Sequence, residues 1–144
     1  MNDTIRRFGY PASLIAEYEH WVVLLRPAAP TLAALVLAAK GEAIAYGDLP
    51  AAAFAEQALV VAGIEQALRR AVDPARINYL MLMMVDPHVH FHVIPRYDGS
   101  RRRGADDYPD AGWPKLPDLA AAVPLSADQV SDQVAWLKGL WPAR

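Results

Sequence analysis

A chain of 144 residues without a single cysteine is long enough to bury one ordinary core unaided, and the missing thiols exclude disulfide frameworks and thiolate metal centres. Fourteen basic and sixteen acidic residues leave a formal charge of −2, so nothing in the composition suits a nucleic-acid polymer, and an anionic ligand has to be met locally.

The opening stretch, MNDTIRRFGYPAS, lacks the apolar centre of a secretory leader. The longest uncharged run, Pro27 to Ala39, falls short of the ~20 residues that span a bilayer. No membrane association and a cytoplasmic location are therefore expected. Trp21 to Leu25 is a short apolar run closed by Arg26-Pro27, and Leu35 to Leu37 is another after the break at Pro30; both read as strands. From Pro50 to Val72 the pattern turns helical, with Asp48 and Pro50 at its start and Phe54, Ala58, Val61, Ile64 and Leu68 at three- and four-residue intervals. The helix should stop before Asp73-Pro74, because a residue preceding proline avoids helical backbone. Ile77 to Val85 (INYLMLMMV) is almost continuously apolar, which suits a strand covered on both faces, with Asn78 its one strongly polar member.

Asp86-Pro87 punctuates that run, and PHVHFHVIPR follows at once, holding three of the four histidines. Segments joined by so little chain should pair antiparallel. In a strand His88, His90 and His92 would share one face, about 6.6 Å apart from one to the next given a rise of ~3.3 Å per residue, while Val89, Phe91 and Val93 enter the core. After Pro95 the chain becomes irregular and polar. Its basic run, Arg101 to Arg103, stands close to Asp106, Asp107 and Asp110 and reads as a solvated loop, with a phosphate contact as the alternative. Ser126 and Gln129 form a capping box ahead of Val130, Val134, Leu137 and Trp141, so a short helix should close the chain. The whole is expected to be one domain, 1–144, irregular after about residue 96.

A row of imidazoles admits several readings. The bland one is ordinary residues that happen to alternate. A metal site needs convergent nitrogens at ~2.1 Å, whereas the outer two histidines of the row start roughly 13 Å apart, so it would have to combine two of them with His20 or a distant carboxylate. The third reading is nucleophilic catalysis at phosphorus: neutral imidazole attacks near pH 7, and its neighbours donate hydrogen bonds to phosphoryl and leaving oxygens.

The stretch HVHFHVI, His88 to Ile94, resembles the His-x-His-x-His-x-x signature of the histidine triad (HIT) superfamily of nucleotide hydrolases and transferases, and Pro95-Arg96 is also frequent there. The likeness extends over most of the chain. It implies an α+β fold with a five-stranded antiparallel sheet, one long helix and a short C-terminal helix, usually as a homodimer joined through the helix and the strand bearing Ile77 to Val85. It also implies attack on the α-phosphate of a dinucleoside polyphosphate, such as diadenosine tetraphosphate, or a related nucleoside phosphate derivative, through a nucleotidyl-histidine intermediate and with no cofactor or metal. On that pattern His90 is the nucleophile. His92 contacts the phosphate and the leaving oxygen, and His88 lends phosphate contacts and a carbonyl that orients His90. Asn78, Arg96 and Trp113 fall among the substrate contacts, although Asn78 equally suits a structural asparagine between strands and Trp113 simple packing.

Some usual supports are absent. Thr31 and Leu32 stand where many members carry Gly-His, and Met83, Met84 and Val85 stand where many have Gly-Gln and Ser or Thr. Leu24 and Leu25 occupy the region of the ribose-binding acid or asparagine. A nucleotide-binding module with little turnover is therefore the alternative, ahead of a metal-dependent hydrolase.

Overall fold

The computed structural model describes residues 1–144. Three helices, α1 (Asp3–Arg7), α2 (Ala51–Val72) and α3 (Ala127–Leu140), accompany nine strands: β1 (Leu14–Glu17), β2 (Trp21–Leu25), β3 (Ala28–Ala29), β4 (Leu35–Ala39), β5 (Arg76–Leu80), β6 (His90–Arg96), β7 (Ser100–Arg103), β8 (Asp106–Pro109) and β9 (Val123–Pro124). Five of them form one antiparallel sheet in the order β1-β2-β4-β6-β5, and the architecture is α+β. No helix is long and apolar enough to cross a membrane.

β2 and β4 lie in the interior of the sheet, and all five residues of each are buried. Strands covered on both faces lose the alternation of a half-exposed strand and read as unbroken apolar runs. On one face Trp21, Val23 and Leu25 join Leu35, Leu37, Val89 and Val93 in a core closed by Val60, Ile64 and Leu68 of α2 and by Val134 and Leu137 of α3. The Trp21 indole N–H, fully buried, donates to the carbonyl of Ala53 at 2.8 Å. On the other face Val22, Leu24, Val36 and Ala38 pack with Ile5 of α1, and Met1 and Phe8 lie against them.

The strand at Trp21–Leu25 has the expected bounds, and the second one extends to Ala39. α2 ends at Val72 as expected, with Asp73 left-handed (φ 46°) and its N–H returning to Arg69 O. Its buried face differs from the predicted one: Ala53, Val60, Ile64, Ala67 and Leu68 point inward, while Phe54 is exposed and packs on Tyr46 with ring centroids 5.2 Å apart. Periodicity gives a helix its stripe, but here the stripe is centred on small residues as well as large ones, and Ala53 sits against Trp21 of β2. The capping box of α3 is present, with Ser126 and Gln129 each bonding the other's backbone N–H.

Two other expectations are corrected. The strand predicted over Ile77 to Val85 stops at Leu80, and Met81 to Val85 leave the sheet, with Met84 87% and Val85 84% exposed. β5 is an outer strand, and none of its residues is fully buried, so it is not covered on both faces. The pairing with β6 is antiparallel as expected, but its register, Leu80 opposite His92, leaves all of residues 81–89 for the connection. Nor is the chain after residue 96 without regular structure: β7 and β8 form a hairpin before α3. Arg101 donates to Val72 O at 2.7 Å and stacks on Tyr97, and Arg103 chelates Asp132 at 3.0 Å while lying over Trp136. Arg101 and Arg103 thus clamp the hairpin to α2 and α3, while Arg102 between them is exposed and bonds only within the hairpin.

Arg96 and Asp110 form a buried ion pair, 4% and 1% exposed at their side chains, with Nε to Oδ2 at 2.7 Å and Nη2 to Oδ1 at 3.1 Å. Removing one member of such a pair leaves an uncompensated charge in the interior. Asp110→Ala is expected to cost about 3–5 kcal/mol of folding stability, read as a lowered urea midpoint.

Candidate active site

Strand alternation puts His90 and His92 on the sheet face away from α2. His90 lies opposite Ala38 and His92 opposite Val36 and Leu80. Both are buried, at 2% and 8% exposed. His88 precedes the strand, and its ring turns aside.

Donor and acceptor chemistry assigns each ring. The carbonyl of His88 lies 2.7 Å from His90 Nδ1. A carbonyl only accepts, so Nδ1 carries the hydrogen and the Nε2 lone pair is free. Arg26 Nε lies 3.2 Å from His92 Nδ1; a guanidinium only donates, so in this ring Nδ1 is the acceptor and Nε2 the N–H. His88 Nε2 donates to the Glu42 carboxylate at 2.9 Å. Its Nδ1 then accepts from the Thr4 hydroxyl at 2.9 Å, and that hydroxyl in turn accepts from the His88 backbone N–H. The two buried rings, centroids 5.2 Å apart and edge to face, hold opposite tautomers: one offers a lone pair, the other a hydrogen.

The N-terminal segment roofs the site. Asn2 caps α1 by accepting from Ile5 N at 3.0 Å and ties it to the end of β4 by donating to the carbonyls of Ala39 and Gly41. This places Thr4 on His88 and sets the Phe8 ring 5.4 Å from that of His90 and 5.7 Å from that of His92. Arg7 binds Asp86 at 2.7 Å, linking the roof to the loop ahead of the histidines. Beneath lies a cavity of about 420 Å³ lined by Phe8, Arg26, Leu82, Met83, Met84, Val85, Asp86, His90 and His92. Met83 takes a left-handed backbone (φ 53°), uncommon for a residue of its bulk. The apolar run expected in the sheet thus forms a cavity wall.

Neither the N-terminal helix nor Arg26 enters the sequence reading of the site. Weak signals existed: Asn2 as a cap with Ile5 and Phe8 three residues apart, and a lone cation ending an otherwise apolar strand. Of the other sequence-predicted residues, Asn78 accepts from Arg96 Nη1 at 2.8 Å, and Arg96 is committed to Asp110. Trp113 is half-buried in the segment after β8, its N–H returning to Asp110 O. None of the three lines the histidine cavity. His20 sits in the β1–β2 turn, its backbone N–H bonded to Glu56, and borders a separate cleft with Lys40, Glu42 and Asp48. No group of three or more His, Asp or Glu side chains is arranged to hold a metal ion.

Burial drives the His92 pKa down to about 4, with help from the Arg26 and His90 charges and against Asp86, which raises it. The ring is therefore neutral at pH 7.

No protein-family model matches this chain, and no curated protein matches it. Solved structures do. A histidine triad protein from Bradyrhizobium japonicum is 18% identical, with 98% of this chain and 96% of that one covered and a TM-score of 0.73. Another histidine triad (HIT) protein, from Sinorhizobium meliloti 1021, is 18% identical over 97% and 95%, with a TM-score of 0.75. The diadenosine triphosphate hydrolase of Plasmodium falciparum is 12% identical over 90% of this chain and 76% of its own, at 0.65. The fold is that of the histidine triad proteins.

His92 makes stability depend on pH. Its folded value lies below the ordinary 6.5, so between pH 6.5 and 4 the unfolded chain takes up a proton that the folded chain refuses. Its contribution is complete above pH 6.5 and is lost as pH falls to 4. The loss should be about 3 kcal/mol, and urea unfolding at pH 7 and pH 4 should show that much less acid sensitivity in His92→Gln than in the wild type.

Proposed function

We propose that the chain is a nucleotide hydrolase of the histidine triad type, acting on the α-phosphate of a dinucleoside polyphosphate such as diadenosine tetraphosphate. The observation that carries this reading is the pair of opposed tautomers in one cavity: His90 with a free Nε2 lone pair, and His92 with an Nε2–H beside it. His90 Nε2 attacks phosphorus, a P–N bond forms, and the P–O bond to the remaining phosphate chain breaks, with the electron pair leaving on oxygen. The positive charge on the phosphorylated ring is met through Nδ1–H by the His88 carbonyl. Water then attacks the same phosphorus, the P–N bond returns its electrons to Nε2, and a proton passes to solvent.

His92 acts here as a hydrogen-bond donor rather than as an acid, since a ring already neutral at pH 7 has no proton to give up easily. That favours a leaving group able to depart as an anion, as a phosphate chain does, over an amine that must be protonated. The apolar wall of Leu82 to Val85, in place of further phosphate donors, supports a second reading: a nucleotide-binding module with little turnover.

His90→Ala should abolish turnover of diadenosine tetraphosphate by several orders of magnitude, because the covalent route loses its attacking atom. His92→Ala, which removes one charge-stabilising donor, should cost about 10²–10³ in kcat. Rapid mixing and an alkaline quench, which spares the acid-labile P–N bond, should trap a nucleotidyl adduct on the peptide holding His88 to His92. Binding without adduct or turnover would select the module.

We also infer a homodimer, since β5 leaves one edge of the sheet unpaired and an open edge invites a second strand. Sedimentation equilibrium at micromolar concentration should return twice the chain mass.

A further inference from the structure

Arg26 follows β2 and precedes Pro27. It is the one permanently charged cation lining the histidine cavity, and no carboxylate pairs with it. Nε donates to His92 Nδ1 at 3.2 Å, and Nη1 donates to the carbonyl of Ala28. The cavity's only carboxylate, Asp86, is taken by Arg7. Arg26 is half-buried, and a guanidinium partly withdrawn from water usually faces an acid, because its desolvation is otherwise uncompensated. Burial holds this one below its ordinary pKa. The β2 backbone pairs through Leu25 with its neighbours and needs no charge at the next position. The cost is thus incurred where the chemistry is, not where the fold requires it.

We propose that Arg26 is the positioning residue of this site: by occupying Nδ1 of His92 it holds that ring with Nε2–H available to the cavity, beside the free Nε2 of His90. A free neutral imidazole exchanges its hydrogen between both nitrogens and rotates about χ2. With a fixed donor on Nδ1 the ring keeps one tautomer and one orientation, and the adjacent cation strengthens Nε2–H as a donor. The groups facing His92 are Arg26 at the end of β2, His90 on its own strand, Asp86 with its partner Arg7, and the uncharged Phe8, Val36 and Leu80. Arg26 alone among them supplies a hydrogen to this ring. The catalytic consequence rests on the hydrolase reading; the effect on the ring does not.

The test joins spectroscopy to kinetics in the full-length chain. Histidine side-chain ¹⁵N spectra at pH 7 should show His92 with a bare Nδ1 and a protonated Nε2. In Arg26→Met, of similar length but with no donor, the Nδ1–H form should appear and the titration midpoint of His92 should rise from about 4. Arg26→Lys, whose ammonium can still donate, should preserve the wild-type pattern. With diadenosine tetraphosphate, kcat should fall about 10–100-fold in Arg26→Met, the usual loss when a group orienting a functional imidazole is removed, and recover in Arg26→Lys. A protonated Nδ1 in the wild type overturns the proposal without recourse to any variant. So does Arg26→Met with unaltered His92 signals, even if kcat falls, since the arginine would then act on the substrate directly. If the ring responds as described but no nucleotide is turned over, the positioning role stands and the hydrolase reading fails.

Discussion

β6 divides its side chains between two environments, and the rest of the molecule is arranged around that division. Val93, with Val89 just ahead of the strand, enters the core under α2 and α3, and Phe91 packs at its margin against Trp21, ring centroids 6.5 Å apart. Hydrogen bonding to β4 on one side and β5 on the other leaves the strand no freedom to slip. A slip of one residue would turn His90 and His92 into the core and Phe91 and Val93 out of it. The core therefore fixes the histidines as firmly as any direct contact to them does.

What lies over the histidines matters as much as what lies beneath. Phe8, the 81–85 loop and the apolar strand residues Val36 and Ala38 exclude water from two imidazoles. Exclusion of water keeps His92 neutral and strengthens every hydrogen bond within the cavity. The roof is short and held by few polar links, chiefly Asn2 to β4, Thr4 to His88 and Arg7 to Asp86. Between the roof and the loop the cavity is lined by Phe8 on one side and by Met83 and Met84 on the other, side chains suited to contact with apolar groups.

Relatedness at the level of fold, at 18% identity over nearly the whole chain, is what such an arrangement allows. The sheet tolerates many apolar combinations so long as alternation and volume are kept. The polar groups around the histidines are not so constrained by the fold. Here they differ from the expected pattern: an arginine at the end of β2 and a methionine-rich wall stand beside the histidines.

The sequence by itself determined the central strands, the extent of α2, the capped C-terminal helix and the face on which His90 and His92 emerge. Each rests on a local rule: apolar runs between breakers, a helix halted by Asp73-Pro74, reciprocal capping by Ser126 and Gln129, and side chains alternating in an extended strand. Tertiary structure alone decided that Leu82 to Val85 form a wall instead of a strand, because an apolar run looks the same whether its cover is a helix, a cavity or solvent. It likewise decided that Arg96 belongs to Asp110, that Arg101 and Arg103 clamp a hairpin, and that Thr4, Phe8 and Arg26 surround histidines more than sixty residues away in the chain. Local pattern carries no information about such distances. Which donor meets which ring nitrogen is set only when the sheet closes and the N-terminal segment folds over it.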